Sequence, residues 1–176
     1  KSLDGPNAPR TPHEEEEVER AVNAALEFQK AEALLKKNDL PGAERHIRLA
    51  ADADPGQPEY TTLLAWITAL RRGEPKDVAP GIVTKHYDDL SQMLDEVLRG
   101  DARYERALFY RGTLLKRSGK VDKAMKDFRL AAELNPRNLD ALREVRLYEI
   151  RKREGRDQQG GAQQPQGGLF GKWFKR

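Results

Sequence analysis

An all-α solenoid is what the sequence predicts: helical hairpins stacked in three repeats, the middle one with a lengthened turn, and a closing helix. Three observations carry that prediction. Apolar residues recur at helical rather than strand spacing, beginning with Val18, Val22, Ala25, Leu26, Phe28, Ala31, Leu34 and Leu35. Small residues stand at Ala31, Ala65 and Gly112, the first two 34 residues apart. The segments 31–55 and 112–136 also share their internal landmarks. Ala43 and Ala124 each follow the small residue by 12 positions, and Pro55 and Pro136 each follow it by 24. Ile47 and Phe128, then Ala50 and Ala131, stand at matching places between them.

Composition sets the outer limits. The chain has 176 residues, 38% hydrophobic and 35% charged, which suits amphipathic helices around a thin core. It has no cysteine, so disulfides and thiolate metal sites are excluded. No apolar run approaches the roughly 18–20 residues that cross a bilayer, and no signal peptide is visible; a cytoplasmic location is expected. A net charge of +3 permits contact with an anionic surface without arguing for one.

Taken in order, residues 1–10 read as a Pro/Gly/Asn linker and residues 11–154 as the helical domain. Thr11, Pro12 and Glu14 form a helix start, with Thr11 as N-cap, Pro12 at the first helical position and Glu14 completing a capping box. Glu14 to Glu17 place negative charge where the helix dipole favours it. Asn38-Asp39 breaks this helix, and Leu40-Pro41-Gly42 reads as a turn into a second one that stops at Asp54-Pro55. A third helix is expected over about Glu59 to Arg72. The following landmark is late, because Gly112 lies 47 residues after Ala65. The excess falls in the Gly/Pro-rich stretch 73–81, so the partner helix is expected from about Thr84 to Arg99, with Tyr87, Leu90, Met93, Leu94, Val97 and Leu98 buried. Gly100-Asp101 stands where a closing proline is due. Leu108 to Pro136 forms the last hairpin, with Gly112 and Ala124 where its helices come closest and Phe128 in the wedge between them. Leu139 to about Glu154 is one more helix, and its charged faces suit a cap.

Residues 155–168 are a low-complexity stretch expected to be a disordered linker. Residues 169–176 end the chain as a basic-aromatic motif. Leu169, Phe170, Trp173 and Phe174 beside Lys172, Lys175 and Arg176 suit a docking peptide. The alternative is a weak contact with an anionic membrane surface.

The landmarks Gly112, Gly119, Ala124, Phe128, Ala131 and Pro136 resemble those of the tetratricopeptide repeat (TPR) family, whose usual period is also 34. Ala31 to Pro55 resembles a second copy, and the resemblance covers about residues 20–154. The family implies a non-catalytic scaffold or adaptor that binds a peptide or helix in a groove lined by the first helix of each repeat. Carried across residue by residue, it selects Ala25, Phe28, Glu32 and Leu35, then Glu59, Thr62, Trp66 and Ala69. In the last repeat it selects Arg106, Phe109, Thr113, Lys116 and Arg117, and in the cap helix Asp140, Arg143 and Leu147. Phe28, Trp66 and Phe109 would form an aromatic floor. Chaperone-binding relatives hold a C-terminal carboxylate with lysines and asparagines; the corresponding places here hold Phe28, Glu32 and Leu63, leaving only Arg106 cationic. A hydrophobic ligand with an acidic flank fits better. Lys1 to Gly5 resembles the end of a J-domain, so a bacterial co-chaperone or signalling protein with such a module upstream is the expected context.

No enzyme signature emerges. His13, His46 and His86 are scattered, and solvated side chains are expected for the first two. Neither a metal nor another cofactor is implied. Nucleic acid is not an expected partner: the basic residues of the last helix are diluted by Asp140, Glu144, Glu149 and Glu154, with Tyr148 its only aromatic.

Overall fold

A computed structural model describes residues 11–160 apart from 77, 78, 80 and 81, and side chains as far as Gly155. Seven helices make up these residues, with no strand among them: α1 (Pro12–Lys36), α2 (Leu40–Ala53), α3 (Pro58–Arg72), α4 (Asp88–Gly100), α5 (Glu105–Arg117), α6 (Val121–Leu134) and α7 (Leu139–Gly160). Each packs on the next, and α3 also touches α5 across the array. This is the expected run of three hairpins and a further helix. The linker 1–10 and the motif 169–176 lie outside the described residues.

Local chemistry explains the boundaries. Thr11 caps α1 as expected: its hydroxyl accepts from the Glu14 amide at 3.3 Å, and its own amide donates to the Glu14 carboxylate at 2.7 Å. Asn38 turns the chain with a φ of 60°. Leu40-Pro41-Gly42, expected as a turn, is instead the first turn of α2, because Asp39 caps it by accepting from the Gly42 amide at 3.0 Å.

The middle hairpin departs most from expectation. α4 begins at Asp88, not near Thr84, because the residues before it are held by another repeat: the Thr84 amide donates to the Ser118 carbonyl at 2.9 Å. Tyr87 is fully buried and donates its hydroxyl to the Gly73 carbonyl, closing the long turn. Within α4, buried Leu90, Leu94 and Val97 repeat the spacing of Ala43, Ile47 and Ala50 in α2 and of Ala124, Phe128 and Ala131 in α6.

Two glycines are fixed by close approach. A Cβ on Gly112 would lie 3.0 Å from the Phe128 ring, so α5 and α6 meet there as the sequence predicts. Gly119 has a φ of 80°, and a Cβ on it would lie 2.6 Å from the Ile82 carbonyl oxygen of the long turn. The core runs the length of the array in three connected groups: Ala31, Ala43, Ile47, Leu63 and Ile67 at one end, Ala65, Tyr87, Leu94, Leu108 and Leu114 in the middle, and Ala124, Met125 and Phe128 under α7.

α7 differs from the expected cap. It continues to Gly160, past the boundary expected at Glu154. Gly155 alone costs a helix only about 1 kcal/mol, and no proline intervenes before Pro165. Its outer face is charged as expected, yet Leu139, Leu142 and Ile150 are exposed on it as well.

Phe128→Ala should lower stability by about 3–5 kcal/mol in urea unfolding, because it empties the wedge between α5 and α6. Gly119→Ala should cost roughly 1–3 kcal/mol, since it combines a left-handed backbone with a clash against main chain that cannot swing away.

Candidate functional site

The first helices of the hairpins, α1, α3 and α5, share one face with α7, and side chains cross it from repeat to repeat. From α1, Glu32 reaches Arg106 of α5, with Nη1 to Oε1 at 2.9 Å. From α3, the Trp66 ring stacks on Tyr110 of α5 at 4.5 Å between centroids and 5° between planes. The Arg106 guanidinium lies 5.7 Å over the Tyr110 ring, and its Nε donates to the Tyr110 hydroxyl at 3.1 Å. On the far side, the Arg117 guanidinium lies 5.6 Å over Trp66 and pairs with Glu74 at 3.0 Å. Glu32, Arg106, Tyr110, Trp66, Arg117 and Glu74 therefore form one connected series: two stacked rings, an arginine against each, and a glutamate on each arginine.

Helical geometry places these groups. Arg106 and Tyr110 are four residues apart, hence on one side of α5, and Thr113 and Arg117 continue that side. Burial disfavours the Arg106 charge, but its hydrogen bonds to Tyr110 and Glu32 and the Glu32 charge outweigh this, so its pKa is raised. The rings and arginines are half-buried, leaving one side of the series to solvent.

The other expected groove residues fall into three groups. Phe28 is half-buried against Tyr60 of α3 at 5.2 Å, Leu35 packs half-buried on the same core group, and Lys116 pairs with Glu144 of α7 at 2.6 Å. Arg143 is exposed. Thr62, Ala69 and Phe109 require correction as groove surface, and Ala69 has no exposed surface. Thr62 is fully buried, because α3 is the middle helix and is packed on both sides. Phe109 is half-buried but packs on Phe128 of α6 at 5.8 Å, so it belongs mainly to the α5–α6 contact. Thr113 spends its hydroxyl on the Phe109 carbonyl at 2.9 Å. The aromatic pair crossing from α3 to α5 is thus Trp66 with Tyr110. Sequence reasoning missed Tyr110, though its place one helical turn after Arg106 was a usable signal.

His13 is exposed as expected, whereas the other two histidines make structural contacts. His46, expected in solvent, is half-buried and ties α2 to α1 through Glu27 at 2.5 Å, and His86 contacts the Gly73 carbonyl at 3.1 Å. Among the described residues no three His, Cys, Asp or Glu side chains come together as a metal site, and no helix is long and apolar enough to cross a membrane.

Comparison with known proteins agrees with this architecture. Residues 105–138 match the tetratricopeptide repeat family model. The chain is 28% identical over 153 residues to a mouse FK506-binding protein-like protein, covering 84% of this chain and 40% of that relative's length. Among solved structures it is similar to the first TPR of Spaghetti (RPAP3) bound to the HSP90 peptide SRMEEVD, with a TM-score of 0.58, 22% identity, and coverage of 74% of this chain and 93% of that one. It is also similar to the second TPR domain of human RPAP3 in complex with the HSP70 peptide SGPTIEEVD, with a TM-score of 0.55, 17% identity, and coverage of 76% and 98%. The α5–α6 hairpin is a tetratricopeptide repeat, and the helical array around it has the TPR fold.

If Arg106 serves a ligand and Phe109 serves the core, their alanine variants should separate in urea unfolding. Arg106→Ala should cost under about 1 kcal/mol, because its ion pair is solvated. Phe109→Ala should cost about 2–4 kcal/mol.

Proposed function

We propose that the chain is a non-catalytic protein-interaction adaptor that binds a peptide or helix on the face shared by α1, α3, α5 and α7. The observation that carries the reading is the Trp66–Tyr110 stack, half-exposed and flanked by Arg106 and Arg117. Tryptophan, tyrosine and arginine are the residue types on which interface energy concentrates. A rigid ring pair between two guanidinium groups suits an apolar ligand side chain with acidic neighbours. Two solved neighbours of the same fold are described with bound chaperone peptides, SRMEEVD and SGPTIEEVD, both rich in acidic residues. They support an acidic peptide as the class of ligand and a chaperone-linked setting for the adaptor.

The ligand's C-terminal carboxylate is not the group this face reads. Phe28 is apolar, Leu63 is buried in the core, and Glu32 would repel a terminal carboxylate. Acidic side chains within the ligand, meeting Arg106 and Arg117, supply the polar contacts instead.

An array of peptides about fifteen residues long, graded in acidic and aromatic content, should retain the protein on its acidic-apolar members. Trp66→Ala should weaken that binding about thirtyfold, the loss of a hot-spot residue of about 2 kcal/mol, with helicity by circular dichroism unchanged. Amidating the peptide's C-terminus should change affinity by less than about twofold. Retention that survives Trp66→Ala unaltered would place the binding surface elsewhere.

A further inference from the structure

The arginines that would receive an acidic ligand already hold carboxylates of this chain. We propose that Glu32 occupies the binding face as an internal substitute for a ligand carboxylate, so that an acidic-apolar peptide binds by displacing it from Arg106. The inference rests on the peptide-binding reading and adds both the partner's charge and a built-in competitor.

Three features of the Glu32–Arg106 pair distinguish it from a simple staple. Its reach is the first: the partners are 74 residues apart and join the first hairpin to the third, passing over α3, whereas Arg111–Asp127 and Arg72–Asp89 join successive helices. The second is solvation. Both side chains are 32% exposed, and a part-exposed pair contributes on the order of 1 kcal/mol, too little to hold the array together. The third is what remains when Glu32 leaves. Arg106 stays positioned by its Nε bond to Tyr110 and by that ring's stack on Trp66, so the guanidinium keeps its place and gains a vacant donor edge. A ligand carboxylate at that edge puts the neighbouring ligand residue beside the half-exposed Trp66–Tyr110 pair.

A weak internal competitor lowers apparent affinity by the fraction of molecules in which the site is free. A pair worth up to about 1 kcal/mol corresponds to a factor of up to about five. Glu32→Gln removes the charge while preserving size and a hydrogen-bond acceptor, so it should tighten acidic peptides without loosening the fold.

The test is a fluorescence-anisotropy titration of wild type, Glu32→Gln, Arg106→Gln and the double variant. Two labelled probes are used: a synthetic peptide alternating glutamate and leucine around one tryptophan, and its all-glutamine counterpart. Glu32→Gln should bind the acidic probe about two- to fivefold more tightly than wild type and the glutamine probe equally. Arg106→Gln should weaken the acidic probe and abolish the gain from Glu32→Gln. Unchanged or weaker acidic-probe binding by a folded Glu32→Gln variant overturns the inference. So does binding of the glutamine probe alone, an outcome that leaves the peptide-binding reading standing. Failure of all four proteins on both probes overturns the inference and the reading together.

Discussion

The close approach of two helices inside each hairpin is the constraint on which the rest of the molecule depends. At Gly112 there is no room for a side chain without moving the Phe128 ring, and Ala31 and Ala65 occupy the corresponding positions with no exposed surface. A larger residue there would splay the hairpin and turn its first helix away from the neighbouring first helices. Because each hairpin closes tightly, α3 and α5 come near enough for Trp66 to stack on Tyr110, and Glu32 can reach Arg106 over the helix between them. The candidate binding face is thus a by-product of small residues on the opposite sides of the same helices.

The lengthened middle turn preserves this arrangement. The spacing of buried residues resumes at Leu90, Leu94 and Val97, so the additional residues lie outside the packed register. They are not idle. The turn is pinned to the last hairpin where Thr84 bonds to Ser118 and Gly119 accommodates Ile82, while Arg72 bonds to both Asp89 and the His86 carbonyl. The same turn supplies Glu74, which holds Arg117 against Trp66. An insertion that reads as a defect in the repeat therefore braces two hairpins and orients a residue of the candidate site.

Most of the architecture was legible because its determinants are local. Caps, breaks and the spacing of Ala43, Ile47 and Ala50 can be read within one or two turns of chain. The misplaced features depend on distant partners. α4 starts late because residues before it bond to the α5–α6 turn, and no nearby residue announces that contact. Phe109 carries the spacing of a groove residue, yet its ring packs on Phe128, a partner on the following helix. His46 looks solvated on its own helix and is half-buried only because Glu27 of α1 faces it. Glu32 and Arg106 were both legible as groove residues, but their pairing spans two hairpins and was not.

The distribution of side-chain size bears on function independently of any single contact. The fully buried positions are filled largely by alanine: Ala24, Ala31, Ala43, Ala50, Ala65, Ala69, Ala107, Ala124 and Ala131 have no exposed surface. Phe28, Trp66 and Tyr110, each able to bury far more apolar area, are only half-buried. At about 25 cal/mol per Å² of apolar surface, a chain arranged for stability alone would place its large rings inside. Thin helical arrays must bury small residues where helices cross closely; Tyr87 and Phe128 fill the wider gaps inside, while Phe28, Trp66 and Tyr110 stay on the face shared by the first helices. Arginine against an exposed ring limits the apolar area open to nonspecific association while keeping it available to a ligand that brings its own carboxylates. Among the described residues, Trp66 and Tyr110 thereby keep part of their apolar surface open beside two arginines, an arrangement that suits the proposed acidic-apolar ligand.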